Sequence, residues 1–439
     1  MITVGDAVVY VGDCREQLKH LADNSVDSVV TDPPYELGFM GKSWDSSGIA
    51  YDVTVWQECL RVLKPGGHIL AFGGSRTWHR LAVAVEDAGF ELRDSIAWIY
   101  GSGFPKSLDV SKAIDKKAGA EREKIRHIPR AETSGTMMGS SESRPWIEKS
   151  REQGFYEADG PDAVTPEAKA WQGWGTALKP AFEPVVVGRK PFGKGVTVAE
   201  NVLAWGVGGL NIDGSRIAGD PWKASFGTGL AKDKFFTTGD RTEIWKEPHT
   251  QGRWPANVIL DEVSAGLLDE QSGVSVSKSG GKSGKTAIWS ADIDAVDRGG
   301  HNDSGGASRF FYQPKASKRD RNEGLEELEG TSAGEMVDRV EGSAGMDSPR
   351  AGAGRTSGAK NFHPTVKPTA LMRYLIKLVT PEGGTVLDPF TGSGSTGKAA
   401  LLDGYKFVGV ELTEEYLPII EGRLKWASEQ EGETDERLF

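Results

Sequence analysis

Cysteine is almost absent from this chain: Cys14 and Cys59 are the only two among 439 residues. Each falls on the apolar face of a predicted helix. That count argues against a disulfide framework or a multi-cysteine zinc site, and it fits a reducing cytoplasm. Apolar runs of about 18 or more residues are missing, so no membrane-spanning helix is expected. The start, Met1-Ile2-Thr3-Val4-Gly5-Asp6, has no basic region followed by an apolar stretch, so no secretory signal is read there. Metal-ligand spacing is not visible either, and His20 and His68 read as surface or core residues. Positive charge is in deficit, with 52 Lys and Arg against 63 Asp and Glu for a net −11. That balance speaks against a partner made of phosphates, unless a local basic groove sits on an acidic protein.

What is present suffices for a globular core: 38% hydrophobic residues and 13 Trp. The length exceeds one ordinary core and predicts a main domain with a large insertion or a second domain. Residues 6 to 100 alternate β-rich runs with helical periodicity. Val8–Val11, Val26–Thr31, His68–Phe72 and Ser95–Tyr100 read as strands. Cys14, Leu18 and Leu21 share one helix face, as do Val55, Cys59, Val62 and Leu63, with Pro65-Gly66-Gly67 as the stop. From about residue 361 the same grammar resumes. A helix carries Leu371, Tyr374, Leu375 and Leu378, then come strand Thr385–Asp388, helix Ser395–Leu402 and strand Lys406–Glu411. A last helix is expected from Thr413 as N-cap. Neither end has enough strands alone, so the expectation is one doubly wound α/β sheet built from both. The expected parts are 1–100, an insertion over 101–360, and 361–439. The insertion holds Gly/Ser-rich tracts at Ser277–Gly284 and Gly352–Gly358, which read as flexible. Firmer pieces in it are Phe182–Val187, Val202–Trp205, Trp254–Leu260 and Arg309–Tyr312. No internal repeat is found.

Asp32-Pro33-Pro34-Tyr35 follows directly on the apolar strand Val26–Thr31. In a doubly wound sheet, ligands sit beyond the carboxyl ends of strands. Asp32 can accept one hydrogen of an amino group. The prolines leave carbonyls with no competing N–H nearby, so the Pro33 carbonyl can take the second hydrogen. Two such acceptors free the nitrogen lone pair from ring conjugation and make it nucleophilic. Tyr35 offers a flat face to an extruded base. A plain strand-ending turn is the competing reading.

A second motif, Asp388-Pro389-Phe390-Thr391-Gly392-Ser393-Gly394-Ser395-Thr396-Gly397, also links a strand to a helix. Gly392, Gly394 and Gly397 match the dinucleotide fingerprint, and Glu411, 19 residues beyond Gly392, can bind ribose hydroxyls. The stretch nearly matches a phosphate loop through Gly392, Gly397 and Lys398, but Ala399 replaces the Ser or Thr that would hold magnesium. Asp388 would repel a pyrophosphate and attract the ammonium of a methionine moiety. S-adenosylmethionine is therefore the expected cofactor.

With both motifs in hand, the sequence resembles the DNA amino-methyltransferases, in the permuted group whose catalytic motif precedes the cofactor motif. The resemblance covers about residues 1–100 and 361–425 and implies a Rossmann-like methyltransferase fold. It implies catalytic roles for Asp32, Pro33, Pro34 and Tyr35. It implies cofactor contacts for Asp388, Pro389, Phe390, Gly392, Gly394 and Glu411, with Asp13 as the adenine-side acid. His363-Pro364-Thr365-Val366-Lys367-Pro368 resembles the segment that completes the methionine pocket, which assigns Lys367 to the cofactor. Phe39–Asp45, Gly101–Lys106 and Arg253–Asn257 are similar to a phage and bacterial subgroup whose middle segment recognises the target. Asp at the first catalytic position is typical of adenine-N6 enzymes and Ser of cytosine-N4 enzymes. Cytosine-C5 chemistry, which needs a reactive thiolate, is excluded because both cysteines lie within helices.

Lys42 and Trp44 could touch DNA or simply pack in a loop. Lys315, Lys318, Arg319 and Arg321 form the densest basic cluster, beside Phe310, Phe311 and Tyr312, which suits nucleic acid; a solvated face is equally open. Lys179, Arg189, Lys190 and Lys194 form a looser set. The expected activity is site-specific transfer of a methyl group to adenine N6 in double-stranded DNA by base flipping, with no metal and no covalent enzyme intermediate. Cytosine-N4 methylation, an NAD-dependent oxidoreductase and a non-catalytic DNA-binding relative are the alternatives. A cytoplasmic location and no membrane partner are expected, while a homodimer and a companion restriction enzyme are left open.

Overall fold

A computed structural model describes residues 1–37, 43–103, 107–127, 155–219, 226–229, 242–245, 252–276, 303–315, 319–328, 330 and 360–430. The Gly/Ser-rich tracts at 277–284 and 352–358 lie outside them. The main sheet has nine strands. In chain order they are β1 (Ile2–Val4), β2 (Ala7–Val11), β3 (Val26–Thr31), β4 (Leu63–Phe72), β5 (Glu91–Ile99), β6 (Phe182–Arg189), β7 (Val258–Leu260), β8 (Thr385–Asp388) and β9 (Lys406–Glu411). Across the sheet they run β1-β2-β9-β8-β3-β4-β6-β5-β7. From β2 through β4 every neighbour is parallel. β6 is antiparallel to both β4 and β5, and β7 is parallel to β5.

Strands buried on both faces must alternate their side chains between two cores. They do: Val30, Leu70, Phe72 and Val386 enter one core, and Val29, Ile69, Ala71 and Leu387 the other. The first core is closed by α4 (Thr369–Val379), α5 (Ser395–Leu402) and α6 (Leu417–Glu429), the second by α1 (Cys14–Gln17), α2 (Val53–Val62) and α3 (Trp78–Asp87). Full burial of each large side chain contributes about 1.5–3 kcal/mol, and Leu70→Ala would cost roughly 2–5 kcal/mol through the cavity it leaves. The doubly wound sheet assembled from both chain ends is therefore present.

Two expectations change. Pro65-Gly66-Gly67, expected as the stop of α2, lies inside β4 instead, because the helix ends at Val62 and the strand begins at Leu63. The turn residues are absorbed as an irregularity where the β3–β4 register shifts between Val26 and Ser28. A Cβ at Gly67 would lie 2.7 Å from Leu63 and 2.8 Å from the Asp27 carbonyl, so only glycine fits there. The stretch expected as an insertion also supplies two sheet strands, β6 and β7. Between β5 and β6 it forms a satellite of helix Val110–Lys117, the antiparallel pair Lys124–His127 and Tyr156–Asp159, and helix Pro166–Ala170. A buried ion pair, Arg122 Nε to Asp115 at 2.8 Å, holds it together. Asp115 also accepts from the amides of Val164 and Thr165.

Candidate active site

β3 and β8 are adjacent and parallel, so their carboxyl ends open on the same edge. Asp32 follows β3 and Asp388 ends β8. Both face one cavity of about 1140 Å³, whose walls include Asp13, Tyr35, Glu183, Lys367, Phe390 and Glu411. The two carboxyls, from opposite ends of the chain, share a single cleft.

On the β8 side, Asp388 is 1% exposed. Its carboxylate accepts from Thr31 Oγ1 and Thr396 Oγ1, both at 2.6 Å, and from the Phe390 amide at 3.0 Å. Burial pushes its pKa up to about 6, against the pull of those donors, and the Asp32 charge adds to the rise. Glu411 accepts from the amides of Gly392 at 2.7 Å and Thr413 at 2.8 Å, and burial lifts it to about 7. Gly392 (φ +54°) and Gly394 (φ +72°) turn the loop through a region that disfavours side chains, and a Cβ on Gly392 would crowd His363 at 3.1 Å. Gly397 serves packing: its Cβ would meet Phe407 and Leu424 at 2.7 Å. Lys398 points away from the cleft, fully buried on Asp320 at 2.7 Å and Glu323 at 2.8 Å. A phosphate-loop lysine must reach its ligand, so that reading is closed.

Asp13 lines the cavity but is the N-cap of α1, accepting from the Arg15 amide at 2.8 Å and pairing with the Arg15 guanidinium. The hydrogen bond from the Arg15 side chain, more than any other influence, lowers its pKa.

The β3 side holds a cluster of four polar side chains. Lys367 Nζ donates to Asp32 Oδ2 at 2.6 Å and to the Tyr35 hydroxyl at 3.1 Å, and lies 3.3 Å from Glu183 Oε2. The Tyr35 hydroxyl donates to the same Glu183 oxygen at 2.8 Å. Burial pulls the Lys367 ammonium down, but the Asp32 and Glu183 carboxylates outweigh it and leave its pKa raised. Burial first, then the two carboxylates, keeps Tyr35 a neutral phenol far above its usual range. Asp32 Oδ1 is buried and has no hydrogen-bond partner among the described residues. Lys367, expected at the cofactor, thus binds Asp32 and Tyr35, in the cavity it shares with Asp388. Glu183 was not foreseen at all. The available signal was an acid at the head of an otherwise apolar strand, Phe182–Val187, where a charge facing a core must have a partner.

The expected DNA contacts fare unevenly. Lys42, Lys318 and the side chain of Trp44 lie outside the described residues. Lys315 and Arg319 are exposed, with Arg319 3.6 Å from Glu323. Arg321 turns inward to the carbonyls of Asn361 and His363. Tyr312 stacks on Tyr374 at 3.9 Å and belongs to the core. Arg189 and Lys190 sit at the opposite edge of the sheet, since β6 pairs Arg189 with His68. There Arg189 binds Glu91, and Lys190 binds Asn24 and the Leu63 carbonyl. Both cysteines are buried, and burial pushes the Cys14 thiol up to about 12 and Cys59 well above its usual value. Neither can serve as a nucleophile.

A sequence profile of the N6/N4 DNA methylases matches residues 26–132 and 237–422, more than half of the chain. The chain belongs to that family. This methylase is 43% identical over 74 residues to the type II methyltransferase M.ScaI of Streptomyces caespitosus, covering 17% of this chain and 24% of that protein. It is 44% identical over 71 residues to the DNA adenine methyltransferase YhdJ of Escherichia coli, covering 16% and 24%. The matched stretch thus spans about a quarter of each relative. Among solved structures, the M1.HpyAVI–SAM complex is similar at TM-score 0.37 and 13% identity, covering 95% and 98% of the two chains. The cytosine-N4-specific PvuII DNA methyltransferase is similar at TM-score 0.42 and 14% identity, covering 96% and 87%. Family membership removes the oxidoreductase alternative and bears out S-adenosylmethionine as the cofactor expected from the sequence.

Proposed function

We propose that this methylase modifies the N6 amino group of adenine at a specific sequence in duplex DNA, extruding the base into the cleft. The observation behind this reading is the unpartnered acceptor Asp32 Oδ1 at the mouth of β3, sharing one cavity with Asp388. A buried acceptor with no donor costs roughly 1–3 kcal/mol, and the amino group of an entering base offers that donor.

The cofactor side fits S-adenosylmethionine. Asp388 and Glu411 are acids whose burial raises their pKa values, to about 6 and about 7. A cationic amino-acid tail at Asp388 and ribose hydroxyls at Glu411 would offset that burial, with Phe390, His363 and Tyr416 as walls. When bound, the cofactor provides an electrophilic methyl group. The chain's own residues prepare the acceptor. Asp32 and the Pro33 carbonyl take the two amino hydrogens and leave the nitrogen lone pair available. Lys367 fixes the Asp32 carboxylate, while Glu183 and Lys367 fix the rim of the Tyr35 ring. The proton shed by the methylated nitrogen passes to Asp32. Membership of an amino-methylating family and the Asp at position 32 support adenine as the target.

The test is to incubate the protein and its Asp32→Ala variant with unmodified genomic DNA and labelled S-adenosylmethionine, then digest to nucleosides. N6-methyladenine formed by the wild type and lost in the variant is the expected result. N4-methylcytosine in its place would overturn the adenine assignment, and no incorporation would overturn the activity.

A further inference from the structure

Between the satellite and β6, residues 171–180 are all exposed. An exposed connection of this kind is usually mobile, but this one is pinned along its length. The amides of Thr176 and Ala177 donate to Ser107 Oγ at 2.8 and 3.2 Å, and Thr176 Oγ1 accepts from the Leu108 amide at 3.0 Å. The Trp174 carbonyl accepts from Val110, and that of Ala181 from Tyr100. Lys179 Nζ donates to the Gly101 carbonyl at 2.7 Å. Pro180 lies so close to Gly103 that a Cβ there would stand 2.0 Å from its carbonyl oxygen. At the centre of this fixed backbone stands Leu178, 92% exposed, the barest large apolar side chain among the described residues. It lines the same cavity as Asp32 and Tyr35.

We propose that Leu178 is a wedge that enters the DNA duplex and occupies the space vacated by the extruded base. This inference rests on the proposed function and adds a positioning residue to it. Extrusion leaves a gap in the base stack, and apolar side chains inserted between base steps hold such gaps open. A leucine held rigidly at the lip of the base cleft needs no ordering before it inserts. Trp171 and Trp174, 45% and 60% exposed and packed edge to face at 5.0 Å, extend the apolar rim on the same segment. Exposed Lys116, Lys117 and Lys169 on the two satellite helices supply charge for the flanking phosphates.

The test uses the full chain and a duplex containing the sequence that methylation mapping identifies. The target base is either normally paired or placed opposite an abasic site, where less stacking and pairing must be broken. Leu178→Ala should lower kcat/KM on the paired duplex by on the order of tenfold, the scale of losing the burial of one leucine side chain. It should leave the abasic duplex within about threefold, and Leu178→Met should restore the paired rate. Equal loss on both duplexes, or no loss on either, overturns the wedge while the methylase reading stands. A wild type that transfers no methyl group to either duplex overturns both.

Discussion

Lys367→Met is the most informative single change, because it removes the one cation shared by two carboxylates. Lys367 Nζ lies 2.6 Å from Asp32 and 3.3 Å from Glu183, so the two carboxylate oxygens are no more than about 6 Å apart. At an effective dielectric of about 20, two negative charges at that separation repel by roughly 3 kcal/mol. The side chains are 8%, 22% and 19% exposed, so water screens them only in part. Breaking a buried pair from one side typically costs about 3–5 kcal/mol, and the partial exposure places the expected loss near 3 kcal/mol. Glu183→Gln alone removes one carboxylate and leaves a simple Lys367–Asp32 pair, a milder change. In the Glu183→Gln/Lys367→Met double variant the repulsion is gone. Its destabilisation should therefore fall short of the sum of the single variants by about 2 kcal/mol, within the coupling seen for residues in contact. Urea unfolding of the four proteins measures this. Methyl transfer by Lys367→Met should drop by about two orders of magnitude, the scale for losing one preorganised electrostatic contact. Additive stabilities within about 0.5 kcal/mol, or wild-type transfer by Lys367→Met, would refute the shared-cation account.

Four further outcomes are expected. Burial raises Asp388 to about 6 and Glu411 to about 7. Each therefore adds folding stability at pH below its ordinary carboxyl value, and that stability, about 3 kcal/mol per group at about 1.4 kcal/mol per pKa unit, is lost as pH rises through 6 and 7. Cofactor binding should run the other way, weakening as pH falls from 7.5 to 5.5 because a protonated Asp388 cannot hold an ammonium; calorimetric titration should show this, and a flat Kd across the window would exclude Asp388 as the anchor. Asp320→Ala leaves the fully buried Lys398 with Glu323 as its remaining carboxylate partner and removes the acceptor of the Thr369 amide, so a loss of about 3 kcal/mol is expected by chemical denaturation. Gly397→Ala forces a methyl group against Phe407 and Leu424, and a cost of about 1–3 kcal/mol should lower Tm without changing the methylated base.

Local signals were legible in the sequence. Asp32–Tyr35 and Asp388–Gly397 each follow a strand whose apolar run is unmistakable, and the rule that ligands gather at strand carboxyl ends brings them together. What escaped depends on distant pairing. Glu183 becomes a site residue because β6 inserts between β4 and β5 with Val185 opposite Phe72, a register no local pattern encodes. Lys367 reads as a pocket residue from its segment, yet its long side chain reaches Asp32 just past the end of β3. Arg321 looked like part of a basic surface because composition cannot distinguish a guanidinium that faces solvent from one bound to two carbonyls. Asp13 stands within the cavity wall, but its carboxylate caps α1, a role fixed by where the helix starts, at Cys14.

The strand β6 has an evolutionary and practical corollary. Exchanging the whole stretch between β5 and β8 for that of a relative, as one would transplant a reading head, would pull two threads out of the sheet and take Glu183 with them. A chimera that keeps the chemistry has to splice on either side of the satellite, leaving residues from Phe182 through Arg189 with the recipient.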